Sequence, residues 1–486
     1  MNIQKEWERI REFLIKHTDW IVLFVFGLMC LIIIVSLFNS PKHTYSVIDY
    51  DHPESGPIDT FDHFLFAESK MYTTKGDRIV VVDSTGKVLA AKNAVVSLKN
   101  NQEDHIVHFT NKYTKVDEVV NGNYAADALY LDTSADGSRI LFEIAGVQGW
   151  ADVKDVELVL YTENLQLSYY YRYENSLVHC ISQDMNEDVH TSYSIGPCPE
   201  YVKEDVIYYS YNGHWFYDDF HEMYLDKQAG SHQHAVNQIA HYCFYQYLPY
   251  RSYTELTPDD FNNHITEMTG IVSSDQSVLY NSGYIFIDIQ NQTGVNAAMM
   301  FASAVNDSGY GQSELAISSN NIFGHQVYSR EGGADGRYNS LYDCIYQHAY
   351  YFVQGNYSNP SSETYHGSWF GDKDSGIALT YSGDPYWGEK NASIYYQIDR
   401  LAGMKDYKEY KTMTFRTDHD IVVYSDPKHK NELYRYESGE TVSFIILGEE
   451  GSWYKIYSEV PITNYKADPT AQYIETTAYI RIKDVV

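Results

Sequence analysis

Basic residues are scarce in this chain: 35 Lys and Arg stand against 66 Asp and Glu over 486 residues, a formal charge of -31. That balance excludes binding to nucleic acid or another polyanion through charge, and it favours solubility outside a cell. Cysteine is scarcer still, at five residues. Neither a C-x-x-C nor a zinc-type spacing is present, and the H-x-H pair His232 and His234 has no third ligand at a recognisable spacing, so no metal is assigned. Cys180, Cys198, Cys243 and Cys344 either pair, with Cys180 to Cys198 closing the shortest loop, or remain free buried thiols. Long apolar runs are missing too, apart from the one at residues 20–38, which contains Cys30.

That run carries no charge and has the length needed to cross a bilayer. Lys5, Arg9, Arg11 and Lys16 precede it, whereas Lys42 alone follows before Thr60. The positive-inside rule therefore predicts a cytoplasmic tail over 1–19, a single transmembrane helix over 20–38, and the remaining chain outside a bacterial cell membrane. A cleaved signal peptide is the competing reading, but VSLFNSPKH offers no A-x-A-like site, so the anchor is expected to stay. It leaves room for a membrane-protein partner. Residues 39–60 are polar with three prolines and suit an extended tether.

A chain this long needs several cores. Over 61–160 the pattern alternates, as in RIVVVDS, DHIVHFT and RILFEIAG, with turn signals between, which predicts a β module. Residues 406–486 repeat that character. The first stretch closes on Trp150-Ala151-Asp152-Val153-Lys154-Asp155-Val156 and the second on Tyr479-Ile480-Arg481-Ile482-Lys483-Asp484-Val485, so two copies of one module are expected. Between them, 161–255 is a Tyr-rich connector, read as mainly β-hairpins; tyrosine, at 48 residues against 20 Phe, suits β-structure and carbohydrate-facing surface. Residues 256–405 read as helical, opening with Thr257 as cap, Pro258 at the first helical position and Asp259 and Asp260 at the positive dipole end. Core stripes follow at Leu341, Ile345, Ala349 and Phe352, and at Trp387, Ile394, Ile398 and Leu401. The fold class is thus multi-domain α+β: one transmembrane helix, a helical domain and flanking β modules.

The stretch that the rest positions is GVNAAMMFASAVNDSGYGQSELAISSNNIFGH, from Gly294 to His325. Val295 to Val305 is apolar nearly throughout, as in a helix buried on most sides. Gly309 ends it, which puts Asp307 in the last turn, where the helix dipole disfavours added negative charge and should raise its pKa. A carboxyl that keeps its proton near neutral pH is what glycosidic-bond cleavage asks of its general acid. The alternative is an Asp that merely caps the turn at Ser308.

The same stretch, with DPYWGEK at 384–390, resembles the bacterial cell-wall glucosaminidases, endo-beta-N-acetylglucosaminidase-like glycoside hydrolases with a lysozyme-type helical fold. The family pattern is matched at Ser308, Gly309, Gly311, Ser313, Leu315, Ala316, Asn320, Asn321, Phe323 and Gly324. One position departs from it: Asp307 stands where the family carries its catalytic Glu, and the lost methylene draws the carboxyl back by about 1.5 Å. The resemblance implies a substrate of peptidoglycan glycan strands, cut after N-acetylglucosamine without metal or other cofactor. It places Tyr386 and Trp387 toward the sugar cleft, with Trp387 equally able to anchor the core, and Asn320, Asn321 and Phe323 in the cleft wall. Glu331 and Asp335, in the glycine-rich loop SREGGADGRY, are the expected second catalytic group. The β modules resemble SH3-like barrels that accompany wall hydrolases. Two functions follow: a membrane-anchored hydrolase, or a wall-binding scaffold in which the Glu to Asp change has removed turnover.

Overall fold

The computed structural model describes residues 44–99, 104–325, 336–471, 473 and 476–485. The expected tail and anchor, 1–38, and the loop carrying Glu331 and Asp335 lie outside these. Among the described residues no helix is long and apolar enough to cross a membrane.

The chain divides into two compact units. The first comprises residues up to 92 together with 133–138. Its four-stranded antiparallel sheet runs Asp59–Phe61, Tyr45–Asp49, Ile79–Val82, Val88–Ala91. Two of these strands fall where a tether was expected. Val47 and Tyr45 are buried with Phe64, Ala67 and Met71 of the helix Phe64–Thr73. Apolar alternation over only five residues, TYSVI, was masked by the prolines on either side of it.

The second unit holds everything else. It contains two antiparallel sheets with one connectivity. In the first, Ala94–Ser97, Ile106–Asn111, Asp117–Asn121, Asp127–Thr133, Arg139–Ile144 and Val147–Asp152 lie in the order first, fourth, fifth, sixth, second, third, and Glu157–Leu160 adds an outer edge beside Ala94–Ser97. In the second, Thr412–Arg416, Ile421–Tyr424, Glu432–Tyr436, Thr441–Glu450, Trp453–Tyr457 and Thr477–Arg481 take the same order, with a small hairpin inserted before the last strand. The recurring phrase falls on the sixth strand of each, at Trp150 and at Tyr479. Alternating apolar positions bury one face in both copies.

The connector is only partly as expected. Val189–Pro197, Ser176–Asp184, Tyr169–Tyr173 and Ile207–Tyr208 make a four-stranded sheet. CFYQYLPYRSY does not form a hairpin: Phe244–Tyr247 is a single helical turn, and Tyr245, Leu248 and Tyr250 enter the core of the helical domain. That domain therefore begins near Cys243 rather than at 256. Aromatic bulk reads as strand in a sequence but is equally useful as filling between helices. His232 stacks on Trp215 at 4.3 Å and His234 pairs with Asp226 at 2.8 Å. The cysteines at 180, 198, 243 and 344 are all free.

At the centre of the helical domain lies Ala297–Ser308. Asn296 caps it, its side chain accepting from the Met299 N–H at 3.0 Å. Every residue of this helix is buried except Asn306 and Asp307, which are half-buried. Around it pack Gly283–Thr293 and Trp387–Leu401, the latter lying also against the strand Val189–Pro197 and the helix Pro258–Thr269. Thr257 caps as expected and also closes a capping box with Asp260. Leu401, expected in a core stripe, is 45% exposed because the helix ends there. Gly388 permits the closest approach: a Cβ there would lie 1.8 Å from the Gly371 carbonyl oxygen. The neighbouring Trp387 is thereby seated deep against the central helix.

Candidate active site

The central helix stops as its sequence demands, with Gly309 in the left-handed region at φ 56° and its N–H bonded to the Val305 carbonyl. Asp307 is left one turn from that end. Three neutral donors meet its carboxyl. Trp387 Nε1 donates to Oδ1 at 2.9 Å, Asn306 Nδ2 to the same oxygen at 3.1 Å, and the Tyr381 hydroxyl to Oδ2 at 2.9 Å. Burial is the main influence on its acidity and pushes the pKa up to about 6; the donors from Trp387, Tyr381 and Asn306 pull the other way without cancelling it, and Asp384 adds a little repulsion. The upward direction agrees with the sequence, but the leading cause is desolvation rather than the helix dipole.

The Tyr381 hydroxyl has a second acceptor, the Phe323 carbonyl, also at 2.9 Å. One phenolic hydrogen cannot serve both fully. With Asp307 protonated the conflict disappears: the acid donates from Oδ2 to the tyrosine oxygen, and the tyrosine donates to Phe323. Oδ1, already receiving two N–H groups, is then the carbonyl-like oxygen. Geometry and desolvation thus favour the same protonation state.

Tyr381 also lines a cleft of about 890 Å³. Its walls come from Asn111 to Val119 of the first β module, from Lys373 to Gly383, and from Arg416 and Glu437 to Glu440 of the second module. Asp307 itself is not in that lining, but its hydrogen-bond partner Tyr381 is.

The other expected residues lie elsewhere. Asn321 is buried, donating from Nδ2 to the carbonyls of His325 at 3.0 Å and Gly336 at 2.9 Å, so it ties together the two ends of the segment between them. Asn320 Nδ2 donates to the Tyr338 carbonyl at 3.0 Å and helps hold the same base. Phe323 is 3% exposed and stacks on His348 at 3.7 Å. His325 joins this stack, with Nε2 and His348 Nδ1 3.0 Å apart. These side chains bond to backbone carbonyls and to one another, and none of them lines the 890 Å³ cleft. Tyr386 is 2% exposed and meets the His179 ring edge-on at 4.7 Å, away from the acid. It occupies the cap position of the helix from Trp387, whose entry turns it toward the connector sheet. The tyrosine at the acid is instead Tyr381, at the end of the short helix Ala378–Tyr381. It was legible only as the other tyrosine of LTYSGDPYWGEK. Trp387 is buried at 3% exposure, as the core-anchor alternative had it, and its indole N–H is bonded to Asp307, but it does not line the cleft.

Among the described residues no group of His, Cys, Asp and Glu has the arrangement of a metal site. Within DPYWGEK, Lys390 pairs with Asp384 at 2.5 Å, while Glu389 reaches the connector sheet, accepting from Tyr170 at 2.8 Å and contacting His179 Nδ1 at 2.6 Å.

Comparison with known proteins points to one family over the same stretch of chain. The Glucosaminidase family model, described as mannosyl-glycoprotein endo-beta-N-acetylglucosaminidase, matches residues 283–400. Two proteins from strains of Streptococcus pneumoniae, both named endo-beta-N-acetylglucosaminidase, are 25% identical over 214 residues, covering 42% of this chain and 32% and 30% of their own lengths. The chain thus spans about a third of these relatives. Structures of S. aureus autolysin E, one a catalytic mutant with the disaccharide NAG-NAM and one with the muropeptide NAM-L-ALA-D-iGLU, share 18% identity over 33% of this chain and 73% of theirs, at a TM-score of 0.24. That score is too low to bear on the fold. With the acid, its donors and the matched motif all falling between 283 and 400, that segment is a domain of the glucosaminidase family.

Proposed function

We propose that this protein is a peptidoglycan hydrolase that cuts glycan strands after N-acetylglucosamine, with Asp307 as general acid. The observation that carries the reading is the carboxyl of Asp307, whose pKa burial pushes up to about 6 against the pull of three neutral donors, in a family motif at the end of the central helix. Acid catalysis of this kind contributes on the order of a hundredfold to ten-thousandfold. Protonation of the glycosidic oxygen releases the leaving sugar while water, or the substrate's N-acetyl oxygen, attacks the anomeric carbon. Glu331 or Asp335 is the proposed second carboxyl. The paired β modules, with one strand order between them, are proposed as SH3-like wall-binding units, and residues 20–38 as the membrane anchor that keeps the chain outside the cell.

A second reading has its own observation: both oxygens of Asp307 are occupied, and Tyr381 rather than Asp307 lines the cleft. On that reading the chain grips glycan without cutting it. Incubating the full chain with purified peptidoglycan, beside Asp307→Asn and Asp307→Glu, decides between them. New reducing ends from the wild type and none from Asp307→Asn support the hydrolase; reducing ends from Asp307→Glu alone support the scaffold.

A further inference from the structure

We infer that Tyr381 is a catalytic residue that relays the proton of Asp307 to the substrate, compensating for the acid's missing methylene. The inference rests on the hydrolase reading and adds to it the group that touches the sugar. Three observations carry it. The Tyr381 hydroxyl lies 2.9 Å from Asp307 Oδ2, a direct proton-transfer contact. Its residue lines the 890 Å³ cleft, which the acid does not. Its hydrogen already has a destination other than the acid, the Phe323 carbonyl at 2.9 Å, so a protonated Asp307 leaves the tyrosine polarised as acceptor on one side and donor on the other.

When a glycosidic oxygen replaces the Phe323 carbonyl as acceptor, two transfers run together. The Oδ2–H bond of Asp307 breaks as the phenolic oxygen takes that proton, and the phenolic O–H gives its own hydrogen to the glycosidic oxygen. The bond between that oxygen and the anomeric carbon breaks with its electron pair left on the oxygen. Water then supplies a hydroxyl to the anomeric carbon, and its second proton returns through Tyr381 to Asp307. Tyrosine begins and ends neutral, which suits a phenol whose burial and proximity to Asp307 raise its pKa well above the ordinary value. The span gained through the hydroxyl exceeds the reach lost by replacing Glu with Asp, about 1.5 Å.

The test is a double-variant cycle assayed on purified glycan strands with the full chain. Tyr381→Phe keeps the ring and removes the hydroxyl; kcat should fall about a hundredfold or more with KM little changed. Adding Asp307→Glu to Tyr381→Phe supplies a carboxyl long enough to act without the relay, and should recover at least tenfold of that loss. Asp307→Glu alone should be nearly insensitive to the presence of the hydroxyl. A merely structural tyrosine predicts no such rescue. If Tyr381→Phe keeps kcat within about threefold of the wild type, or if the longer acid rescues nothing, the relay is wrong while direct protonation by Asp307 stands. A wild-type chain that produces no reducing ends overturns both the relay and the hydrolase reading.

Discussion

Two carboxyls flank the tryptophan of DPYWGEK in space, and their surroundings differ in one respect. Glu389 is buried at 6% exposure between a tyrosine and a histidine, Tyr170 at 2.8 Å and His179 at 2.6 Å. Asp307 also has a tyrosine, but its other partners are an indole and an amide, and its tyrosine has a competing carbonyl. Tyr170 and His179 both lie on the connector sheet, so the first arrangement is a closed joint between that sheet and the helix Trp387–Leu401. Neutral donors with a competing acceptor leave the second able to hold a proton and release it. What separates the two carboxyls here is the competing acceptor on the tyrosine of Asp307, which the tyrosine of Glu389 is not shown to have.

The comparison breaks most sharply at the acid. Asp307→Asn should lower kcat on peptidoglycan by about a hundredfold to ten-thousandfold, since the group lost is the proton source. Retention of wild-type turnover would assign the chemistry elsewhere. Glu389→Ala should instead act on stability: His179 and Tyr170 are left without their buried partner, at a cost on the order of 3 kcal/mol. Urea melts read this directly, and an unchanged midpoint would show that the joint carries no load. Trp387→Phe tests the donor that fixes Oδ1. Losing one N–H to the carboxylate should raise the acid's pKa further and move the alkaline limb of the kcat profile to higher pH, with about a tenfold change in rate. A limb that stays in place would mean the indole is packing alone.

These contrasts also show where the sequence was readable. The central helix and its end at Gly309 follow from an apolar run closed by a Gly, and such signals are local. The recurrence of one closing phrase at Trp150 and Tyr479 falls on the sixth strand of two sheets with one strand order, where the same strand needs the same alternation. What was not legible depends on chain segments meeting from far apart. Tyr381 reaches Asp307 across 74 positions and Trp387 across 80, and nothing in the local pattern of either announces it. Tyr386 was the more tempting tyrosine because it follows a Pro turn, yet the helix starting beside it turns the ring inward. Asn320 and Asn321 looked like sugar ligands for their amides, but those amides serve backbone carbonyls at the base of a loop. Polar residues in a motif are as often bracing as contact.

The smallest expected effect separates the two carboxyls through pH. Asp307 has a folded pKa of about 6, above its ordinary 3.8, so the folded chain holds this proton more tightly than the unfolded one. Its contribution to stability is complete below the unfolded value and is lost as pH rises through about 6. Asp307→Asn should reproduce the protonated network, its oxygen facing Trp387 and Asn306 and its amide donating to Tyr381 while Tyr381 donates to Phe323. The variant should therefore match the wild type in thermal melts at acid pH and melt a few degrees higher above pH 7. Equal midpoints across the range would mean that the carboxyl ionises without cost, and the case for Asp307 as a proton-holding acid would fail even if the fold is right.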